Sequence, residues 1–374
     1  MYEFYKNMEI TYVDSSYLGK NPFLDAERRQ VELPSYQNIH ALLPTIHWKG
    51  HETEVACYNK AWEIAFSNLN NPEPGSGFVS PFIDTAFNGN LFMWDSSFIL
   101  MFAKYASKAF DFQQTLDNFY AHQHRDGFIP REIREKDGAE VYARLDPSST
   151  GPAILSWCEY EYYLYSGDES RLRNVYYPLL AYHLWMKKNR TWRNGTYFLS
   201  GLGCGMDNAP RQERGCNPRY EHGHMIWIDA CFQALIDCDM LLKIAAVSGI
   251  DDGVAELRAE KESLGNFINR NLWDEKTGFY YDMYRGNQLS GVKTVASFWS
   301  LLSGSIPDER ASRLTAHLEM KTSSSVHIVC QACLTTIHCI ILMEITGADR
   351  FGHRQPIWFY AALTAMDMAR RHMV

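Results

Sequence analysis

From His51 onward the chain alternates segments of helical period with connections of two distinct kinds, and this alternation restricts the fold more than any single motif. Glu54 to Leu69 places Val55, Tyr58, Ala61, Trp62 and Ile64–Phe66 at three-to-four spacing, which makes one apolar face. Helical period returns at 96–110, 112–123, 153–166, 169–189, 225–247, 251–273, 293–303 and 308–318. Some connections are short and tight, such as SGDES and SGIDD. Others are long and rich in Trp, Asp, Arg, Gly or Pro, such as NNPEPGSGFVSP. A ring of helical hairpins has this signature, with short connections closing the far side and long ones building a site on the near side. Strand-like runs are few apart from GFYYDMY. The expected fold is therefore all-α, an (α/α)6 toroid. A generic helical bundle is the alternative, but it has no need of so many long polar-aromatic loops. Residues 1–50, with Pro34, Pro44 and little periodicity, read as a lead-in, and 51–318 as the helical domain.

Composition narrows the partners. With 46% hydrophobic and 14% aromatic residues in 374, there is material for a large core. A net charge of -8 without basic clusters argues against a nucleic-acid partner and suits a small uncharged one. The opening residues MYEFYKNMEITYVDSS lack the basic start and apolar run of a secretory signal. No stretch approaches about eighteen uninterrupted apolar residues, so no membrane span is expected. Nine dispersed cysteines read as reduced thiols, which favours a cytoplasmic location. Oligomeric state is left open.

Three groups of loop residues carry chemistry. In SGLGCGMDNAPR (200–211), Asp207 follows Gly201, Gly203 and Gly205, glycines that let backbone approach a ligand closely. Asn208 and Arg211 can order that carboxyl group or a sugar hydroxyl. A carboxylic acid in an aromatic-walled pocket has its pKa raised by desolvation, as a proton donor to a glycosidic oxygen requires. The alternative is an ordinary Asx-turn before Pro210. In FNGNLFMWDSSF (87–98), Trp94 can stack on a pyranose face and Asp95 can accept hydrogen bonds from vicinal hydroxyls. Against that stands an N-cap by Asp95 or Ser96, with Trp94 in the core. QHRDGFIPREI (123–133) and RLDPSSTGP (144–152) offer Gln123, Asp126, Arg131 and Asp146 for hydroxyl binding, although each singly reads as a loop or capping residue. Trp227 and Asp229 open a long helix and can line the site, whereas WDEKTGFYYD (273–282) reads as a structural hairpin turn.

The motifs WDS, DGFIPREI, DPSSTGP and GMDNAPR, in this order and spacing, resemble glycoside hydrolase family 63 over roughly residues 50 to 318. Its bacterial relatives include mannosylglycerate hydrolase-like enzymes, and trehalases share its architecture. The resemblance implies an (α/α)6 toroid and an inverting mechanism on an α-linked glucoside or mannoside. It matches Asp207 to the family's general acid and Trp94–Asp95 to its sugar-binding tryptophan and aspartate. It implies no redox or nucleotide cofactor, and no loop here calls for a metal. Two other readings stay open. A sugar epimerase on the same toroid would use histidines, with His122, His124, His222 and His224 available. A non-catalytic sugar-binding protein needs no second carboxylate.

An inverting hydrolase does need one, a base about 6.5–9.5 Å from the acid. The family's base follows a GDYWRGxVW-like segment near the C-terminus, and nothing after Leu318 matches either feature. Residues Ile345–Arg354 back-translate, with permitted codons, to a string that reads DYWRGSVWAP when shifted by one base. Synonymous choice sets only the first base of each shifted codon, so producing that string by codon freedom alone is improbable. The expectation is a one-base frame slip between about Leu318 and Ser323, with 319–374 an out-of-frame tail that leaves the toroid incomplete at its C-terminus. Cys330, Cys333 and Cys339 fall in that tail. Without the base, the chain is expected to be nearly inactive.

Overall fold

The computed structural model describes residues 17–86, 88–206, 211–213, 215–217 and 219–319. Asp207 and Asn208 therefore lie outside the described residues, as does all of the chain after 319. The chain divides into two compact units, Met1–Thr150 with Leu155–Trp185, and Gly151–Ile154 with Met186–Val374.

In the first unit, α1 (Glu52–Ser67) buries Tyr58, Ala61, Trp62, Ala65 and Phe66, the three-to-four stripe legible in the sequence. A ribbon follows, β1 (Leu69–Asn70) antiparallel to β2 (Phe82–Ile83). Next come β3 (Asn90–Phe92), α2 (Met93–Ala103), α3 (Asp117–Ala121), β4 (Glu132–Arg134), α4 (Leu155–Ser166) and α5 (Glu169–Asn189), whose last residues pass into the second unit. The α2 helix is apolar nearly all round and packs against α4 and the 3-10 segment Phe112–Leu116. The lead-in is tied down: Asn21 donates to the Tyr120 carbonyl at 3.0 Å, and Tyr58 donates its hydroxyl to the Pro44 carbonyl at 2.5 Å.

An ionic network fills the centre of this unit. Arg171 from α5 makes a two-pronged contact to Glu159 of α4, at 2.7 Å on each oxygen, and reaches Asp117 of α3 at 3.0 Å. Gln113 and the Tyr120 hydroxyl also donate to Glu159, each at 2.9 Å. Burial works against the Arg171 charge, but Glu159 and Asp117 outweigh it and hold the guanidinium well above its usual range.

In the second unit, α6 (Ile228–Ser248) is buried along most of its length. Gly249 ends it in the left-handed conformation, φ 67°. The partner α7 (Val254–Asn271) buries only Leu257, Glu260, Leu264, Gly265 and Ile268, and packs against α6. A buried helix joined by a tight loop to an amphipathic one is the hairpin that SGIDD implies. Two ribbons follow, β5 (Trp273–Asp274) with β6 (Phe279–Tyr280), and β7 (Met283–Tyr284) with β8 (Gln288–Leu289). A 3-10 segment, Val295–Leu302, and α8 (Asp308–Glu319) complete the described chain.

The molecule is thus helix-rich, and among the described residues no sheet exceeds two strands. Two expected helices differ. The run 112–123 breaks into a 3-10 segment and the short α3, because the Thr115 and Asn118 side chains accept the Ile83, Val79 and Ser80 amides. The run 293–303 is 3-10 rather than α.

Candidate active site

Three of the four loop motifs converge in the first unit. Strands β3 and β4 pair Asn90 with Arg134, Leu91 with Ile133 and Phe92 with Glu132, joining FNGNLFMWDSSF to DGFIPREI. The Met93 amide donates to the Arg131 carbonyl at 2.8 Å, and Asn90 donates to the Glu132 carboxylate at 2.7 Å. DPSSTGP is attached through Arg131, whose Nε donates to the Ser148 carbonyl at 2.5 Å. Gly127 is required where it stands: at φ 97° a Cβ would lie 2.4 Å from the Ala181 carbonyl oxygen.

The helix carrying Trp94 and Asp95 begins at Met93, with Phe92 in the N-cap position and no side-chain cap. The capping alternative for Asp95 or Ser96 is thereby corrected: Asp95 sits in the first turn, and Ser96 lies inside the helix. Asp95 is exposed and Trp94 half-buried. Trp94 meets Phe98 edge-on at 4.7 Å, and Phe98 meets Trp157 at 6.1 Å, so an aromatic row lies beside an exposed carboxylate. That pairing suits a pyranose, whose C–H face stacks while its hydroxyls donate to the acid.

The remaining first-unit candidates spend their polar groups on protein. Gln123 donates to the Gly127 and Pro178 carbonyls at 2.9 and 2.8 Å and accepts from Asn21 at 2.9 Å. Asp126 accepts from Arg144 and from Trp185 Nε1. Arg131 lies 4.4 Å over the Tyr142 ring. Asp146 caps the 3-10 turn Pro147–Ser149, taking the Ser148 amide at 2.7 Å. The ring nitrogens of His122 face the Asn118 and Ser76 carbonyls, and His124 pairs with Glu140.

One residue beyond β4, Glu135 is held up to about 8 by burial, by the Asp84 charge and by a hydrogen bond with Asp84. A carboxyl pKa raised by folding contributes stability that is full below the unfolded value and is lost as pH rises toward the folded one. Melting temperature is therefore expected to fall between about pH 5 and 8, and Glu135→Gln to flatten that slope. An unchanged slope in the variant would show that Glu135 does not titrate in this range.

In the second unit the described part of SGLGCGMDNAPR is a tight turn. Ser200 Oγ accepts the Gly203 amide at 3.1 Å, and the Leu202 amide donates to the Arg219 carbonyl at 3.0 Å. Arg211, read from sequence as able to order the Asp207 carboxyl group or a sugar hydroxyl, is 1% exposed and is held by two carboxylates, Asp229 and Asp282. Trp227 is also 1% exposed; its Nε1 donates to the His222 carbonyl at 3.0 Å, and its ring lies 4.5 Å from the Arg211 guanidinium. Asp282, assigned from sequence to a plain hairpin turn, belongs to this cluster. A cleft of about 420 Å³ opens nearby, lined among others by Trp192, Arg193, His224, Tyr284, Arg285 and Asn287. His222 and His224 pack against each other, with ring centres 4.7 Å apart. Among the described residues no helix is long and apolar enough to cross a membrane.

A family profile described as mannosylglycerate hydrolase MGH1-like glycoside hydrolase domain matches residues 89–330. An uncharacterized protein of Borreliella burgdorferi is 26% identical over 226 residues, which is 60% of this chain and 44% of that protein. The chain thus spans under half the length of this relative. Among solved structures, the GH63 mannosylglycerate hydrolase of Thermus thermophilus in complex with glucose superposes with TM-score 0.61 at 18% identity, covering 84% of this chain and 91% of that one. The same enzyme in complex with Tris and D-glycerate gives TM-score 0.60 at 18% identity, covering 85% and 92%.

Proposed function

Because the chain belongs to the mannosylglycerate hydrolase MGH1-like glycoside hydrolase family, we propose that its site is built to cleave an α-linked glucoside or mannoside with inversion. The carrying observation is the family match across 89–330, which contains all four motifs. The fold inferred with it is an (α/α)6 toroid. Trp94 and Asp95 hold the sugar whose bond breaks, and Asp207 donates its proton to the departing oxygen. A small carbohydrate is the partner, and the Thermus enzyme's complexes with glucose and with D-glycerate support that class.

In the frame as given, the base that would activate water is missing, so Asp207 acts alone. Such a site fails with water, which must lose a proton as it attacks. It accepts azide, an anion that needs no base. Azide bonds to the anomeric carbon from the face opposite the leaving group, the C–O bond breaks, and the Asp207 proton goes to the leaving oxygen. The test uses the full chain with phenyl α-D-glucopyranoside and α-D-mannopyranoside. Expected are phenol release only with azide, a β-glycosyl azide product, and loss of that release by about 10²–10⁴-fold in Asp207→Asn. An α-azide would end the inverting reading, and an unaffected Asp207→Asn would end the assignment of the acid. Sugar binding with no azide chemistry would leave the non-catalytic sugar-binding protein in its place.

A further inference from the structure

The cleft of about 420 Å³ in the second unit takes none of its lining from the four motifs. Its volume falls in the range of small-molecule sites, about 300–1,000 Å³. Three segments wall it: 192–194 in the turn after α5, 224–226 ahead of α6, and 283–287, which is β7 and its turn into β8. Protein hydrogen bonds tie these segments together. Trp192 Nε1 donates to the Met225 carbonyl at 2.9 Å, and Ile226 and Met283 exchange amide–carbonyl bonds at 2.8 and 3.1 Å. The walls therefore keep their spacing without a ligand. Of the three described non-glycine residues with left-handed backbone, two stand here, His224 at φ 49° and Asn287 at φ 65°. Residues with a Cβ keep that conformation only where the surroundings impose it, and such positions gather at ligand sites.

The lining holds two arginines and no acid. Arg193 and Arg285 are exposed, and among the described residues neither guanidinium has a hydrogen bond or an ion pair. Arg144, Arg171, Arg211 and Arg313, by contrast, all meet carboxylates. Burial, Asp282 and Glu213 hold the Tyr284 hydroxyl above its usual range, but Asp282 already faces Arg211, which leaves Glu213 as one acid against two arginines. A carboxylate fills one guanidinium fork, whereas a phosphate monoester, with three terminal oxygens and close to two charges, can take both. An aromatic wall stands beside the arginines. The Trp192 ring packs on Phe198 at 4.6 Å, and His224 lies 6.3 Å from it at 29°. That indole offers a pyranose the same C–H stacking as Trp94. Asn194 spends its Oδ1 on the Thr196 amide and hydroxyl, at 3.1 and 2.7 Å, and keeps its Nδ2 hydrogens for a ligand oxygen. Asn287, exposed in the β7–β8 turn, adds a second amide.

We propose that this cleft binds a phosphorylated monosaccharide, with the phosphate on Arg193 and Arg285, the ring on Trp192, and its hydroxyls on the Asn194 and Asn287 amides. The probe is D-glucose 6-phosphate, titrated calorimetrically into the full chain, with inorganic phosphate and D-glucuronate as comparisons. Saturable binding with Kd below about 1 mM is expected. Arg193→Ala and Arg285→Ala are each expected to weaken it about tenfold or more, the usual weight of a hydrogen bond between charged groups. Both side chains are exposed and unbonded, so both variants are expected to fold. Arg258→Ala, which removes an exposed arginine of α7, is expected to leave binding unchanged. Inorganic phosphate lacks the ring and glucuronate the second charge, so each is expected to bind at least about tenfold more weakly. A Kd above about 1 mM, or equal losses in Arg258→Ala and the cleft variants, would overturn the proposal. So would inorganic phosphate binding as tightly as the sugar phosphate, which means a bare-anion site, or glucuronate doing so, which means a carboxylate site. If Asp95→Asn weakens binding and the cleft variants do not, the probe sits at Trp94–Asp95 and the proposal fails.

Discussion

Restoring the reading frame by one base between codons 318 and 323 is expected to give a protein that hydrolyses phenyl α-glycosides with water alone. The gain should be on the order of 10²–10⁴-fold over the chain as it stands, the usual contribution of a positioned base. The expectation rests on Ile345–Arg354, for which a permitted set of codons, shifted by one base, spells DYWRGSVWAP, similar to the segment that precedes the base in the resembling family. Resequencing the coding DNA from codon 310 past the stop is the first measurement. If no single-base change restores that string and a downstream Glu, the slip is rejected. A corrected chain that still requires azide would reject the mechanism instead. The uncorrected chain is expected to aggregate where apolar helix faces are left without their partners, which light scattering during refolding would detect.

Arg171→Met is expected to cost about 3–5 kcal/mol of stability, a large share of what a domain possesses. The substitution leaves Glu159, 0% exposed, as a buried acid without its cation, and leaves Asp117 with Arg29 alone, at 3.3 Å. Gln113 and Tyr120 still donate to Glu159, but two neutral hydrogen bonds do not replace a guanidinium fork. The control is Arg173→Ala on the same helix. Its pair with Glu169 is half-exposed on both sides, and such pairs contribute at most about 1 kcal/mol. Urea unfolding of both variants checks the contrast. Equal losses would show that the network is solvated and adds little.

The α6–α7 hairpin illustrates what a sequence announces. Its apolar runs are long, its connection SGIDD is short, and Gly249 stands where a left-handed residue must end a helix. The need for Gly127, by contrast, comes from the tertiary structure, where a Cβ would lie 2.4 Å from the Ala181 carbonyl oxygen. The run 112–123 misled because its period is helical, while Thr115 and Asn118 have spent their side chains on β2 and its approach. Local pattern carries no record of such partners.

Arg211 and Trp227 mark the same limit within the site. An arginine in a glycine-rich loop and a tryptophan at a helix start look alike whether they meet a sugar or a buried acid. Asp282, one of the two acids that hold Arg211, lies 71 residues from it. Periodicity, loop lengths and motif order are properties of consecutive residues, so the sequence by itself determined the helix-rich class, the family and the residues to examine. The tertiary structure alone decided that three motifs meet along β3 and β4, that Asp95 stays exposed, and that Arg211 is gripped from two elements. A donor's partner is whichever acceptor folding brings within about 3 Å, and that distance is not written in the order of the chain.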